Sequence, residues 1–397
     1  MKKALSIILA LALMFSVAAL AGCGEKDAGT PAPAPAASSD APAPAPASSD
    51  APAPAAPASS DAPAPAPAPA PEEPAAGNDL PWNPDNIRNQ HFILAHGMAA
   101  ENVVSRCYHE FCEIVRDLSD GKMDIEEKIG GTLVTDTETF DALLDGMVDF
   151  IHSMGSYVNE IVIDLSPLTI AGYYGGNNWL EFAFGTKDLV SQIYGDYGVK
   201  YLGALYQGTS VIACSRRQIT QPSDVAGLAF RGSGRWPMKT IEAWGGAASN
   251  IALPQLADAF SKNTVEGVVT GWTIIGGWGI YEVARYLTTT NICEGFAALL
   301  MNGDRWAGLN ADEQALLTYA GERFMEANYA LTIDACQDYL NRVVSEGVNE
   351  LYELPAADNQ TFVELAYGLY PEMVAEGNLG PKGLQLIDIL KQFNGIA

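Results

Sequence analysis

The chain has 397 residues and carries 48 acidic against 22 basic side chains, a net charge of −26. That balance leaves no basic stripe to neutralise phosphates, so nucleic-acid binding and docking on anionic lipid are excluded. A small anionic ligand remains allowed, because one buried arginine acts locally inside an acidic protein.

In chain order, Lys2-Lys3 opens an apolar run from Ala4 to Leu20 that ends in Leu20-Ala21-Gly22-Cys23. A charged start, a short apolar core and small residues before the cut mark residues 1–22 as a secretory signal. The run is too short for a comfortable membrane span. Cys23 after Leu-Ala-Gly resembles a bacterial lipobox, which implies cleavage before Cys23 and a diacylglycerol on its sulfur. Residues 23–80 then form an Ala/Pro/Ser array, in which units such as Ala41 to Asp50 recur. Alternating proline removes backbone donors and nothing there can build a core. An extended tether of ~50 residues at ~3.1 Å each reaches on the order of 150 Å.

From about Pro81 onward the composition is that of a folded α/β unit, and length suggests two to three domains in all. His91 to Ala95 reads as a buried strand and Glu101 to Ser119 as a helix with Val104, Tyr108, Phe111, Cys112, Val115 and Leu118 on one face. Met123 to Ile129 alternates as a strand, Thr137 to Gly146 is helical, and Met147 to Ile151 is a strand. This βαβα rhythm predicts a mainly parallel sheet covered by helices. Further strands are expected at Tyr201–Tyr206, Val211–Cys214, Leu228–Arg231 and Gly267–Val269. Helices are expected at Lys187–Tyr194, Trp236–Trp244, Pro254–Ser261 and, as one long stretch, Asp312–Gly347.

Six cysteines are present. With Cys23 lipidated, an odd number remains (Cys107, Cys112, Cys214, Cys293 and Cys336), and no C-x-x-C occurs. Buried free thiols are the expected state.

Several segments then line up in one order. These are Asp120-Gly-Lys-Met-Asp-Ile, Gly131-Thr-Leu, Ala142 to Asp149, Asp224-Val-Ala-Gly-Leu-Ala-Phe-Arg231, Glu266-Gly267 and Tyr281-Glu-Val-Ala-Arg-Tyr-Leu287. Together they resemble the solute-binding proteins of tripartite ATP-independent periplasmic (TRAP) transporters, the dicarboxylate-receptor (DctP)-like family, over roughly Phe92 to Glu376. The last segment is similar to a family helix. The resemblance implies an α/β fold of the periplasmic-binding-protein (Venus flytrap) type, with two lobes, mixed sheets, crossing strands and a long interlobe helix. Lobe I is expected to span 81–208 and 297–335, and lobe II 209–296 and 336–397. It also implies an extracytoplasmic receptor, without catalysis or cofactor, that captures a small organic acid and delivers it to membrane permease subunits. A lipid anchor with a tether suits that task, since tethering raises the receptor's effective concentration at the permease.

Arg231 falls on the family's ligand arginine, which clamps a carboxylate. A planar guanidinium offers two parallel donors that match a carboxylate and stays charged at any working pH. Thr270 stands where the family often has asparagine, Ser210 where some members have a second arginine, and Met154 near a position that is polar in others. The expected pocket is therefore less polar than that of a sugar-acid receptor. Trp236, Trp272 and Trp278 are placed near the cleft, where they could stack on an aromatic or branched monocarboxylate; core packing is the competing role. His96 follows the first strand, where such folds put ligand-contacting loops. Leu253, Tyr206 and Tyr174 complete the candidate set, and Arg235 reads as a solvated loop residue.

Two other functions stay open: a receptor for an ATP-driven (ABC-type) importer or a sensor, and an anchored extracellular hydrolase. The chain has no G-x-S-x-G and no H-E-x-x-H, and its four histidines are not spaced as metal pairs, so no metal site is expected.

Overall fold

The computed structural model describes residues 80–170, 178–292 and 295–396. Cys23, the Ala/Pro/Ser array, Tyr174 and Cys293 lie outside them.

The first elements follow the expected rhythm. β1 (Gln90–Ala95) buries Phe92, Leu94 and Ala95. α1 (Val103–Leu118) starts at Asn102, whose side chain accepts from the Val104 N–H and so satisfies a donor that the helix leaves open. Its buried residues Val104, Tyr108, Phe111, Cys112 and Val115 recur at helical spacing and form the face against the sheet. β2 (Met123–Lys128) pairs parallel with β1; α2 (Thr139–Leu144) then leads to β3 (Phe150–Met154), parallel to β1 on its other side. The third strand therefore starts later than the alternation from Met147 suggests, because Met147 is exposed in a turn after Gly146. The single turn α3 (Gly155–Val158) caps β3, and α4 (Trp179–Gly195) precedes β4 (Val199–Leu205).

Through residues 206–209 the chain crosses to a second sheet. There β5 (Ser210–Cys214), β6 (Ala229–Gly232), α5 (Arg235–Ala243), β7 (Ala247–Asn250), α6 (Leu256–Ser261), β8 (Gly267–Gly271), α7 (Trp272–Gly277) and β9 (Tyr286–Thr289) follow. β10 (Ala297–Asn302) returns to the first sheet, followed by α8 (Gly303–Ala307) and α9 (Ala311–Glu346). β11 (Glu350–Glu353), α10 (Ala356–Tyr367), α11 (Tyr370–Gly377) and α12 (Pro381–Phe393) end the chain. One expectation fails here. Tyr281 to Leu287 is not a helix but a 3₁₀ turn (Ile280–Glu282) followed by β9, which hydrogen-bonds between β11 and β5. Gly279 at φ +65° precedes the turn, and Tyr-Leu-Thr-Thr suits a strand better than a helix.

The strand orders are β2-β1-β3-β10-β4 and β11-β9-β5-β8-β6-β7. Both sheets are mixed rather than mainly parallel, for one reason. β10 and β5 each arrive from the other sheet and run antiparallel to both neighbours. The remaining strands therefore end where the crossovers lie, and both sheets turn their carboxyl ends toward the same gap. Strand periodicity fills the core on both sheet faces. In β10, Ala297, Leu299 and Met301 face one apolar cluster while Ala298 and Leu300 face the other.

α9 has 36 residues, or about 54 Å at 1.5 Å per residue. It packs against α1, α4 and β4 beside the first sheet and α7 beside the second. A capping box of Asn310 and Glu313 starts it, and Gly347 in the left-handed region ends it. Buried Glu313 also accepts from the Arg88 backbone and guanidinium, tying α9 to the segment before β1. Burial pushes its carboxyl up, but the donors from Arg88 and Asn310 outweigh that and hold it at about 2. α12 packs on Ile163–Thr169 and α4, so the C-terminus returns to segments that precede the first crossover. Among the described residues no helix is long and apolar enough to cross a membrane.

Candidate functional site

Between the two sheets lies a cleft of about 870 Å³, and a deeper recess of about 30 Å³ opens beside it. Their walls come from strand ends. Gly97 follows β1, Tyr157 follows β3 and Gln207 follows β4. Arg231 and Ser233 sit at the end of β6, Ile251 to Pro254 follow β7, and Thr270 is the penultimate residue of β8. Ligand sites of α/β sheets form at such ends because the loops there are free to carry polar groups.

Arg231 is 6% exposed and borders both the cleft and the recess. Its Nε donates to Ile251 O at 3.0 Å, and the Tyr157 hydroxyl hydrogen-bonds the guanidinium from the opposite wall. Burial raises the Tyr157 phenol while the nearby Arg231 charge pulls it down. Among the described residues Arg231 makes no ion pair, whereas Arg235 on the next turn is half-exposed and paired with Glu376 at 2.5 Å. A buried cation without a carboxylate is strongly disfavoured unless something anionic joins it.

The recess is largely apolar. Met98, Val104, Met154, Leu253 and Ile274 line it together with Tyr157, Gln207, Arg231, Ser233 and Thr270. Gln207 Nε2 points at Met154 Sδ at 2.8 Å, so its amide is partly spent on a weak acceptor. Thr270 is 7% exposed and presents a hydroxyl where an asparagine would offer two donors.

The first wall is built differently. The half-buried Asp136 carboxylate lies flat on Gly97: Oδ1 accepts from Gly97 N at 2.6 Å, and a Cβ on Gly97 would fall 2.6–2.8 Å from the carboxylate atoms. A side chain at this position would have to displace the carboxylate. Burial raises the Asp136 carboxyl, opposed by the Gly97 N–H and by His96. Behind this wall His96, fully buried, packs its ring 5.3 Å from Tyr108, whose hydroxyl contacts His152 Nδ1 at 2.8 Å. Burial drives both histidines down to about 4, with His152 also depressing His96. Both are therefore neutral at physiological pH.

Of the residues singled out from sequence, Arg231, Thr270, Leu253 and Met154 converge in the recess, and Trp278 lines the cleft. The others sit elsewhere. His96 is behind the wall, one residue short of the cleft-lining Gly97. Tyr206 is buried with its ring 5.1 Å from Trp179 and 5.0 Å from Tyr329. Ser210 is buried in the crossover, where its backbone bonds Ile292 and Thr290. Trp236 packs into the core under Arg235, and Trp272 is core beside Gly208. Glu266 pairs with Arg216 and accepts from Ala229 N, so its role is to join β6 to β8. Tyr157, Gln207 and Asp136 were missed. A rule that inspects the residues after each strand finds the first two, but Asp136 lies far along a loop and carries no local signal.

Cys107, Cys112 and Cys214 are free and buried, as expected; Cys336 is free and half-buried. Among the described residues no three His, Cys, Asp or Glu side chains converge as metal ligands would.

Two mixed sheets exchanging strands around a cleft at their carboxyl ends define a two-lobed solute-binding fold. The profile of the DctP family, "Bacterial extracellular solute-binding protein, family 7", matches residues 94–377, the greater part of the chain. The chain belongs to that family. A Sinorhizobium fredii protein, described as the uncharacterised y4mM, is 24% identical over 58% of this chain, which spans only 43% of that protein's length. The C4-dicarboxylate-binding protein DctB of Bacillus subtilis is 22% identical over 69% of this chain and 79% of its own. A TRAP periplasmic solute-binding protein from a Sulfitobacter species, solved with β-D-galacturonate bound, shares the fold at a TM-score of 0.69. It is 19% identical over 76% of this chain and 99% of its own.

Proposed function

We propose that this protein is the extracytoplasmic receptor of a TRAP-type secondary transporter, closing on a small organic acid and handing it to the membrane permease. The observation that carries this reading is Arg231, buried in the cleft at 6% exposure with no ion pair among the described residues. One carboxylate seated on its remaining Nη donors would complete a charge-assisted pair and relieve a desolvated cation. The names of the Bacillus dicarboxylate-binding relative and the galacturonate-bound neighbour support an acid as ligand. In this reading Thr270 donates to the ligand, and Met154 and Leu253 pack on its body. The lobes comprise 81–208 with 297–335 and 209–296 with 336–397, with α12 packed back on the first. Residues 1–22 are removed, Cys23 is lipidated, and residues 24–80 tether the receptor to the outer face of the membrane.

The test is a thermal-shift and calorimetry panel of organic acids on wild type and Arg231→Ala. Binding of N but not U raises Tm by linkage, so the ligand reveals itself as a shift. Arg231→Ala should abolish the shift and leave the unliganded Tm near wild type. Equal affinity in the variant would remove the clamp.

A further inference from the structure

The charges facing the cleft do not match a dianion. Among the described residues four charged side chains line it: Asp136, Glu160, Arg231 and Arg235. Arg235 is already engaged by Glu376. Arg231, Asp136 and Glu160 make no ion pair among the described residues. The free balance is therefore one cation against two carboxylates. A ligand that places one carboxylate on Arg231 and projects a second across the cleft would set it against Asp136 and Glu160, and like charges in such a site repel.

Asp136 also has a position of its own. Its Oδ1 is fixed by the Gly97 N–H, and among the described residues no cation pairs with it. The nearest titratable base, His96, is buried and neutral, with its pKa pulled down to about 4. Among the described residues, two more polar groups on the same walls are without partners. Ser156 Oγ is buried at 5% exposure without a hydrogen-bond partner, and the half-buried Trp278 lines the cleft with its Nε1 likewise unpartnered. The Asp136 carboxylate with the Ser156 hydroxyl suits an ammonium group, through an ion pair and an N–H···O bond.

We infer that the ligand is zwitterionic: a monocarboxylate seated on Arg231 that also carries a protonated or quaternary amine directed to Asp136, with an apolar body against Met154, Leu253 and Ile274. This rests on the carboxylate reading of Arg231 and narrows it to amino-acid-like acids over dicarboxylates and sugar acids.

The experiment uses matched pairs: L-leucine with 4-methylpentanoate, L-phenylalanine with 3-phenylpropanoate, and glycine betaine with 3,3-dimethylbutanoate, plus succinate and galacturonate. Each is titrated by calorimetry into wild type, Asp136→Asn and Arg231→Ala. In wild type the amine-bearing member of at least one pair should bind tighter by about tenfold or more, the size of one charge-assisted contact. Asp136→Asn keeps an oxygen for the Gly97 N–H. It should collapse that ratio to near one, chiefly through lost affinity for the amine-bearing member. Glu160→Gln, an exposed position, should reduce the same ratio by about twofold to threefold as a check independent of folding. The inference is overturned if the des-amino members or succinate bind tightest, if Asp136→Asn preserves the ratio, or if no amine-bearing member binds at millimolar concentration. Arg231→Ala separates the two readings. Loss of the des-amino acids in that variant upholds the carboxylate site even when the amine preference is absent.

Discussion

The wall of the cleft that β6 and β8 build presents a cation, held in place by a carbonyl and a phenol and without a counter-charge among the described residues. The wall that β1 and β3 build presents a carboxylate, held by a glycine N–H and backed by two neutral histidines. Both walls sit at strand ends, and both carry a half-satisfied charge. They differ in what surrounds that charge. Arg231 is enclosed, so the carboxylate proposed to sit on it would interact at low effective dielectric and strongly. Asp136 is half-exposed and partly solvated, so in the inference above it would tune selectivity more than affinity. A receptor that must both hold and release its cargo gains from putting the strong contact on one lobe and the selective one on the other.

The largest effect should come from the cation wall. Arg231→Ala is expected to lower affinity for the acid by about 100-fold or more, of order 3 kcal/mol, as for truncating one partner of a buried charge pair. Calorimetry reads this directly, and an effect as small as that of Asp136→Asn would erase the contrast between the walls.

The histidines behind the other wall predict a pH signature. Their folded pKa of about 4 lies below the ordinary value near 6.5. Between these limits the unfolded chain binds more protons than the folded one, so stability rises with pH and is lost as pH falls from about 6.5 to about 4. The slope should approach on the order of 1 kcal/mol per pH unit for each histidine. Urea unfolding across that window measures it, and His152→Phe should flatten the curve. A flat wild-type curve would show that these rings are not held neutral.

A smaller effect concerns how the walls meet. Gly234 has φ +142°, and a Cβ there would lie 2.7 Å from Ser156 O on the opposite wall. Gly234→Ala should weaken ligand binding by about tenfold, through strain of order 1–3 kcal/mol felt where the two walls touch. Small-angle scattering with saturating ligand should then show a larger radius than wild type. Least affected should be Arg235→Ala, which removes a surface ion pair worth at most about 1 kcal/mol and should change affinity by less than about threefold. A larger loss would move Arg235 into the binding machinery.

Most of the regular structure was legible in the chain. The α1 face, the β1 and β5 strands and the span of α9 follow from periodicity, because these segments bury one side or two sides over their whole length. Less legible was the stretch from Tyr281 to Leu287, where a motif suggested a helix and pairing with β5 and β11 imposed a strand. β10 was not expected at all, since Ala-Ala-Leu-Leu-Met lacks the β-branched residues that marked β5 as a strand. Within the site, Arg231 stood out because a cation at the end of an apolar strand has to be explained. Trp236 and Trp272 misled because aromatic residues near a strand end are as useful to a core as to a ligand, and here both face inward. Asp136 gave no hint, since one acid among 48 acquires meaning only when a fold lays it on Gly97.

By itself the sequence determined most of the α/β elements and the residue that asks for an anion, because these depend on local pattern and on the cost of burying a charge, while the two-lobed class rested on the family resemblance. Only the tertiary structure decided which charges share a cleft. That depends on β5 and β10 exchanging between the sheets, which brings the ends of β1, β3, β6 and β8 to one place although they lie far apart along the chain.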